Sequence, residues 1–127
     1  MSVAKLRVLV VDDEPFVCKI AERVLQREGF EVVTVTDGEQ ALTALAEHDD
    51  FALVLLDSSL PDMDAEGVLE LMRARGFTTP VLLSSGYGAD AVPKADEYPN
   101  IRGFLAKPYA VAALAARVRE LLGLADP

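Results

Sequence analysis

The sequence predicts an α/β fold, a single doubly wound domain whose five-stranded parallel sheet carries helices on both faces. Three observations lead there. Five short apolar runs alternate along the chain with segments of helical spacing, which is the signature of strand–helix–strand units. The run Phe51-Ala-Leu-Val-Leu-Leu-Asp57 is continuous, not alternating, as in a strand buried on both faces. The apolar runs also stop on polar residues, so one rim of the sheet should collect the chain's chemistry. Right-handed crossovers restrict the topology, and 2-1-3-4-5 is a common order for five such units. Strands one and three then meet at the switch point, where open α/β sheets bind ligands.

The elements follow in order. Leu6–Val11 is the first strand, closed by Asp12-Asp13-Glu14. Pro15 suits the first turn of a helix whose start those acids favour. That helix continues to Glu28, with Val17, Ile20, Ala21, Val24 and Leu25 at helical spacing and Gly29 ending it. Phe30–Val35 is strand two, mixed in pattern and so nearer an edge. Asp37-Gly38 turns the chain into a second helix with Ala41, Leu42 and Leu45 inward, stopping near His48. Strand three is Phe51–Asp57. Val68, Leu69, Leu71 and Met72 mark a third helix that ends at Gly76. Pro80–Ser84 is strand four, Gly103–Lys107 a short strand five, and Pro108 opens a last helix carrying Val111, Leu114, Val118, Leu121 and Leu122. Between them, the segment from Gly86 to Arg102 should hold a fourth helix, yet Gly86, Gly88, Pro93 and Pro99 interrupt it. Proline in a helix interior costs about 3 kcal/mol, so that helix is expected to be short or irregular.

A chain of 127 residues is one ordinary domain, expected to run from 1 to 127. Its 51% hydrophobic and 26% charged residues make a globular balance. The net charge of −9 speaks against nucleic acid or anionic membrane as a direct partner. A single cysteine, Cys18, forms no internal disulfide, and no apolar run is long enough for a signal peptide or membrane span. A cytoplasmic location is therefore expected. Cys18 reads as a small buried hydrophobe. Phe16 is read as either core or an exposed docking residue.

The strand ends carry the chemistry. Asp12-Asp13 close strand one, Asp57 strand three, Ser84-Ser85 strand four and Lys107 strand five. Three carboxylates on one rim repel each other: a pair about 4 Å apart is worth about 4 kcal/mol at an effective dielectric of about 20. A hard divalent cation is the natural offset, and oxygen-only ligands favour Mg2+ over Zn2+. An ionised Asp57 could then attack a phosphoryl group, with Lys107 neutralising charge and Ser85 donating a hydrogen bond.

Taken together, Asp12-Asp13, Asp37-Gly38, Asp57 with Leu60-Pro61, Ser85 and Lys107-Pro108, in that order at the strand ends, resemble the receiver domain of two-component response regulators, a CheY-like, flavodoxin-like fold. The resemblance covers nearly the whole chain. It implies a phosphoacceptor switch: Asp57 takes a phosphoryl group from the phosphohistidine of a sensor histidine kinase or a histidine phosphotransfer protein. It implies Mg2+ held by Asp13, Asp57 and the Ser59 backbone carbonyl, with Asp12 acting through water. It also implies a cis peptide before Pro108, a Ser85–Phe104 switch pair, and a readout on the 84–107 face with the last helix, as a monomer or a phosphorylation-dependent homodimer. The expected role is regulatory, a domain that assists its own phosphorylation and dephosphorylation rather than an enzyme with an external substrate.

Three departures stand out. Ala65 occupies a position where the family usually has Gly, Ser85 replaces the commoner Thr, and the fourth-helix segment is rich in Pro and Gly. The Ser84-Ser85-Gly86-Tyr87 run resembles receivers attached to hybrid sensor kinases. The start at Met1 favours a free-standing or N-terminal receiver. His48 is the only histidine and reads as a surface residue at a helix end, so the phosphodonor must be another chain. The alternative reading is an aspartyl-phosphate phosphatase of the haloacid-dehalogenase type. That chemistry wants a second Asp two residues beyond the nucleophile, where this chain has Ser59. A flavin-binding module fares worse, because Asp12-Asp13-Glu14 would repel the flavin phosphate.

Overall fold

The computed structural model describes residues 5–86 and 97–124. Five parallel strands form one sheet in the order β2-β1-β3-β4-β5, with β1 at Arg7–Val11, β2 at Glu31–Val35, β3 at Phe51–Asp57, β4 at Val81–Ser85 and β5 at Ile101–Ala106. The helices among the described residues are α1 (Pro15–Arg27), α2 (Gly38–Glu47), α3 (Ala65–Ala74) and α4 (Val111–Leu121). The expected fourth helix of the sequence lies largely on residues 87–96, outside the described residues, so α4 here is the last helix of the chain.

The continuous apolar strands are buried on two sides. Leu9, Val11, Val54, Leu56, Val81 and Leu83 point one way, against Ala41, Leu42 and Leu45 of α2 and Val68, Leu69 and Met72 of α3. Val8, Val10, Leu53, Leu55 and Leu82 point the other way, against Cys18, Ala21, Val24 and Leu25 of α1 and Leu114 and Val118 of α4. Alternating side chains of one strand therefore feed two cores. Each fully buried Leu or Val contributes about 1.5–3 kcal/mol of transfer free energy, which fixes the register of β3. Slipping it by one residue would move Asp57 off the rim. The mixed strand β2 is at the edge, as its pattern predicts.

The helix ends follow local chemistry. Gly29 and Gly76, with φ of 95° and 75°, take the left-handed conformation after α1 and α3, which glycine reaches at no steric cost. Asp37 and Asp64 cap α2 and α3 by accepting the amides of Gln40 and Gly67. Two expectations need correction. The last helix starts at Val111, not Pro108, because residues 107–110 cross the rim first, carrying Lys107 to the acids; Val111 itself is half exposed. Strand β5 begins two residues earlier than expected, where the Val81 amide donates to the Asn100 carbonyl and Val81 pairs with Ile101. Phe16 is 75% exposed and is not core.

Candidate functional site

The carboxyl rim of β1 and β3 gathers the acids. Asp12 follows β1 directly and is buried; Asp13 beside it is exposed; Asp57 ends β3 and is buried. One carboxylate oxygen of each lies within 4.8 Å of the others. Parallel pairing of β1 and β3, with Val11 opposite Leu56, places the three at one level. Asp12 has a partner on each carboxylate oxygen. Its Oδ1 accepts the Glu14 amide at 3.0 Å and its Oδ2 accepts Lys107 Nζ at 2.8 Å.

Lys107 arrives from the end of β5. Its Nζ stands 2.8 Å from Asp12, 3.5 Å from Asp57 and 3.9 Å from Glu14. Its amide donates to the Ser85 carbonyl at 2.9 Å, so the backbone that aims the ammonium is continuous with β4. The Lys107–Pro108 peptide is cis. Burial works against the lysine's charge, but the hydrogen bond to Asp12 and the neighbouring acids outweigh it and raise its pKa. Asp57 is also raised, first by burial and then by the charge of Asp12, against the lowering effects of Lys107 and a Ser59 backbone hydrogen bond. A buried carboxyl held above its ordinary range while touching a lysine is a group whose charge lacks a full answer from the protein. Among the described residues, three acids share one lysine at close range.

The crevice over these groups has a volume of about 540 Å3 and is lined by Asp13, Glu14, Asp57, Ser59, Gly86 and Lys107 among others. Ser85 is the last residue of β4 and is buried. Phe104 lies on β5 opposite Leu83 in the register, two residues short of Ser85's partner Ala106, and its ring is partly exposed. An all-oxygen donor set with an open, wet side fits a hard cation such as Mg2+ and offers nothing to a soft one.

The amino-acid pattern did not reveal three contacts. Glu14 lies within reach of Lys107. Asp62, from the loop after β3, accepts the amides of Gly38 and Glu39 at the start of α2. Cys18 donates its thiol to the Asp12 carbonyl at 3.0 Å, so α1 packs directly beneath the acid pair. Pairing at sequence separations such as 24 residues leaves no local periodicity to read.

The family model of the response regulator receiver domain matches residues 8–119. The chain belongs to that family. Among curated relatives it is 38% identical to the probable transcriptional regulator ycf27 of Cyanophora paradoxa, over 96% of this chain and 50% of that protein. It is 38% identical to the transcriptional regulatory protein PrrA of Mycobacterium tuberculosis (95% and 52%), and 35% identical to the DNA-binding response regulator MtrA of Mycolicibacterium smegmatis (96% and 53%). A putative response regulator from Chloroflexus aurantiacus superimposes with a TM-score of 0.81 at 27% identity, covering 94% of this chain and 99% of that one. The receiver chain thus spans about half the length of the curated relatives it matches. Those relatives are named as transcriptional or DNA-binding regulators, different company from the hybrid kinases that the run from Ser84 evokes. Those names give no support to the expectation that nucleic acid is not a direct partner. The family match leaves the haloacid-dehalogenase alternative without support. No helix among the described residues is long and apolar enough to cross a membrane.

Proposed function

We propose that the receiver domain is switched by phosphorylation of Asp57, with a sensor histidine kinase or histidine phosphotransfer protein as donor. The observation that carries this reading is the position of Asp57: a buried carboxylate, raised in pKa, at the floor of an open crevice and 3.5 Å from Lys107. An Asp57 oxygen forms a bond to phosphorus as the P–N bond of the phosphohistidine breaks. The electron pair of that bond goes to the imidazole nitrogen, which takes up a proton. Asp13, Asp57 and the Ser59 carbonyl, with Asp12 through water, would hold Mg2+, which supplies positive charge to the phosphoryl oxygens when bound.

The chain's own groups do the rest. Lys107 is free to leave Asp12 for a phosphoryl oxygen, exchanging one anion for another at similar range. The Ser85 hydroxyl, at the end of the next strand, would donate a hydrogen bond to a second oxygen. A phosphoryl group brings about −1.5 to −2 charges to this rim, and drawing Ser85 toward it moves the 84–107 face that includes Phe104. The same groups would assist attack by water when the acyl phosphate is lost. Incubation with acetyl phosphate and Mg2+ tests the reading. One phosphate should be incorporated, with none in Asp57→Asn and none in wild type after chelation of the metal. Undiminished incorporation in Asp57→Asn would overturn it.

A further inference from the structure

The loop between β3 and α3 carries the Ser59 carbonyl, and three sets of contacts fix it. At its base, the Ser58 amide donates to the Ser84 carbonyl at 2.8 Å and the Ser58 carbonyl accepts the Ala65 amide at 3.1 Å. Across its waist, Ser59 and Asp64 form an isolated antiparallel bridge. At its tip, Asp62 reaches a different element. Its two carboxylate oxygens accept the Gly38 and Glu39 amides at 2.9 and 3.0 Å, one amide to each oxygen. These are first-turn donors of α2 that have no partner within the helix, and a carboxylate there is favoured by the helix dipole as well.

Met63 seals the same junction. A Cβ on Gly38 would lie 2.6 Å from Met63 Cγ, so any side chain at 38 would have to displace Met63, which packs on the core beneath it. The α2 cap proper is Asp37, which accepts the Gln40 amide. Asp62 is therefore not needed to start the helix; its distinct effect is to tie the loop down.

We propose that Asp62 is a positioning residue of the metal site, holding the loop against α2 so that the Ser59 carbonyl faces Asp13 and Asp57. The inference rests on the metal reading given above. Outer groups that orient ligands typically change metal affinity by about 10–100-fold when removed. Since Asp62 acts through three residues of loop, the low end applies. Coupling of this kind is reciprocal: if the clamp favours the ion, the ion must strengthen the clamp.

The test is calorimetric titration of Mg2+ into wild type, Asp62→Ala, Asp62→Asn and Asp37→Ala, with amide exchange at Gly38 and Glu39. Asp62→Ala should bind about tenfold more weakly, and Asp62→Asn, which keeps one acceptor oxygen, less weakly than that. Asp37→Ala removes a nearby charge and the α2 cap but leaves the clamp, so it should lose thermal stability while its Mg2+ affinity stays within about twofold. In wild type, Mg2+ should slow exchange of the Gly38 and Glu39 amides. Equal Mg2+ affinity in wild type and Asp62→Ala would overturn this inference alone, as would an equal loss in Asp37→Ala. Absence of Mg2+ binding by wild type would overturn the metal reading and this inference with it.

Discussion

Replacing Asp13 by Asn separates the cost of the acid cluster from its use. One carboxylate oxygen from each of Asp12, Asp13 and Asp57 lies within 4.8 Å of the other two. At that separation two unit charges repel by about 0.9 kcal/mol in bulk water and about 3.5 kcal/mol at an effective dielectric of about 20. Asp13 is exposed, so the water end of this range applies to both of its pairs. Lys107 lies closest to Asp12 and Asp57 and cancels part of the field that Asp13 feels. The net relief in Asp13→Asn without metal is then about 1 kcal/mol, or roughly 3–5 °C in Tm for a domain of this size. With free Mg2+ about tenfold above a millimolar-range Kd, the wild type gains about 1.4 kcal/mol, and the mutant should gain almost nothing. Thermal unfolding of both proteins, with chelator and with Mg2+, should therefore show the two melting curves crossing in order. A mutant less stable than wild type in chelator, or an undiminished Mg2+ shift in the mutant, would refute the reasoning.

Other expectations follow from the same rim and its surroundings. Burial raises the Asp57 pKa above the ordinary carboxyl value of 3.8, so the folded state holds that proton more tightly than the unfolded chain. Stability from this group is present at low pH and is lost as pH rises from 3.8 through the folded pKa. In metal-free buffer, Asp57→Asn should match wild type below that window and exceed it above; a pH-independent difference in Tm would contradict the shift. Lys107→Ala leaves the buried Asp12 without its cation, and breaking a buried pair costs roughly 3–5 kcal/mol, with less expected here because the crevice is open to water. A denaturant midpoint unchanged from wild type would show the lysine to be dispensable to the fold. Burial, then the charge of Asp12, pushes the Cys18 thiol up from 9.0 to about 11, which leaves about 100-fold less thiolate at pH 8. Alkylation of native protein should be slow and should become fast on unfolding; equal rates would place Cys18 outside the core.

Much of the fold was legible because it rests on period and punctuation. Phe51–Asp57 reads as a two-sided strand from its continuous apolar run, and Gly29 and Gly76 mark helix ends by a conformation other residues avoid. The rim could be foreseen because parallel strands of one sheet must end on one side, which brings Asp12, Asp13, Asp57, Ser85 and Lys107 near each other whatever the loops do. Contacts that depend on loop path were not legible. Asp62 looks like an ordinary turn acid, and only the folded chain brings it to α2. Arg7 likewise pairs with Glu31 and Asp50 and stacks near Phe51 at the opposite edge of the sheet, across separations with no local trace. Pro108 misled as a helix start because a proline at N1 and a proline in a rim crossing look identical in sequence. The short or irregular helix expected between Gly86 and Arg102 falls mostly on residues outside those described.

The central claim is that one carboxylate, Asp57, accepts the phosphoryl group. Its most direct test is to treat wild type with acetyl phosphate and Mg2+, reduce the product with borohydride, and locate the reduced residue by peptide mass. An acyl phosphate at Asp57 is converted to homoserine at that position, and the label before reduction should survive acid and be lost in base. Homoserine at 57 and nowhere else is the predicted result. A base-resistant site at 57, or phosphate found on Ser58, Ser59 or Ser85 with residue 57 still aspartate, would contradict the account.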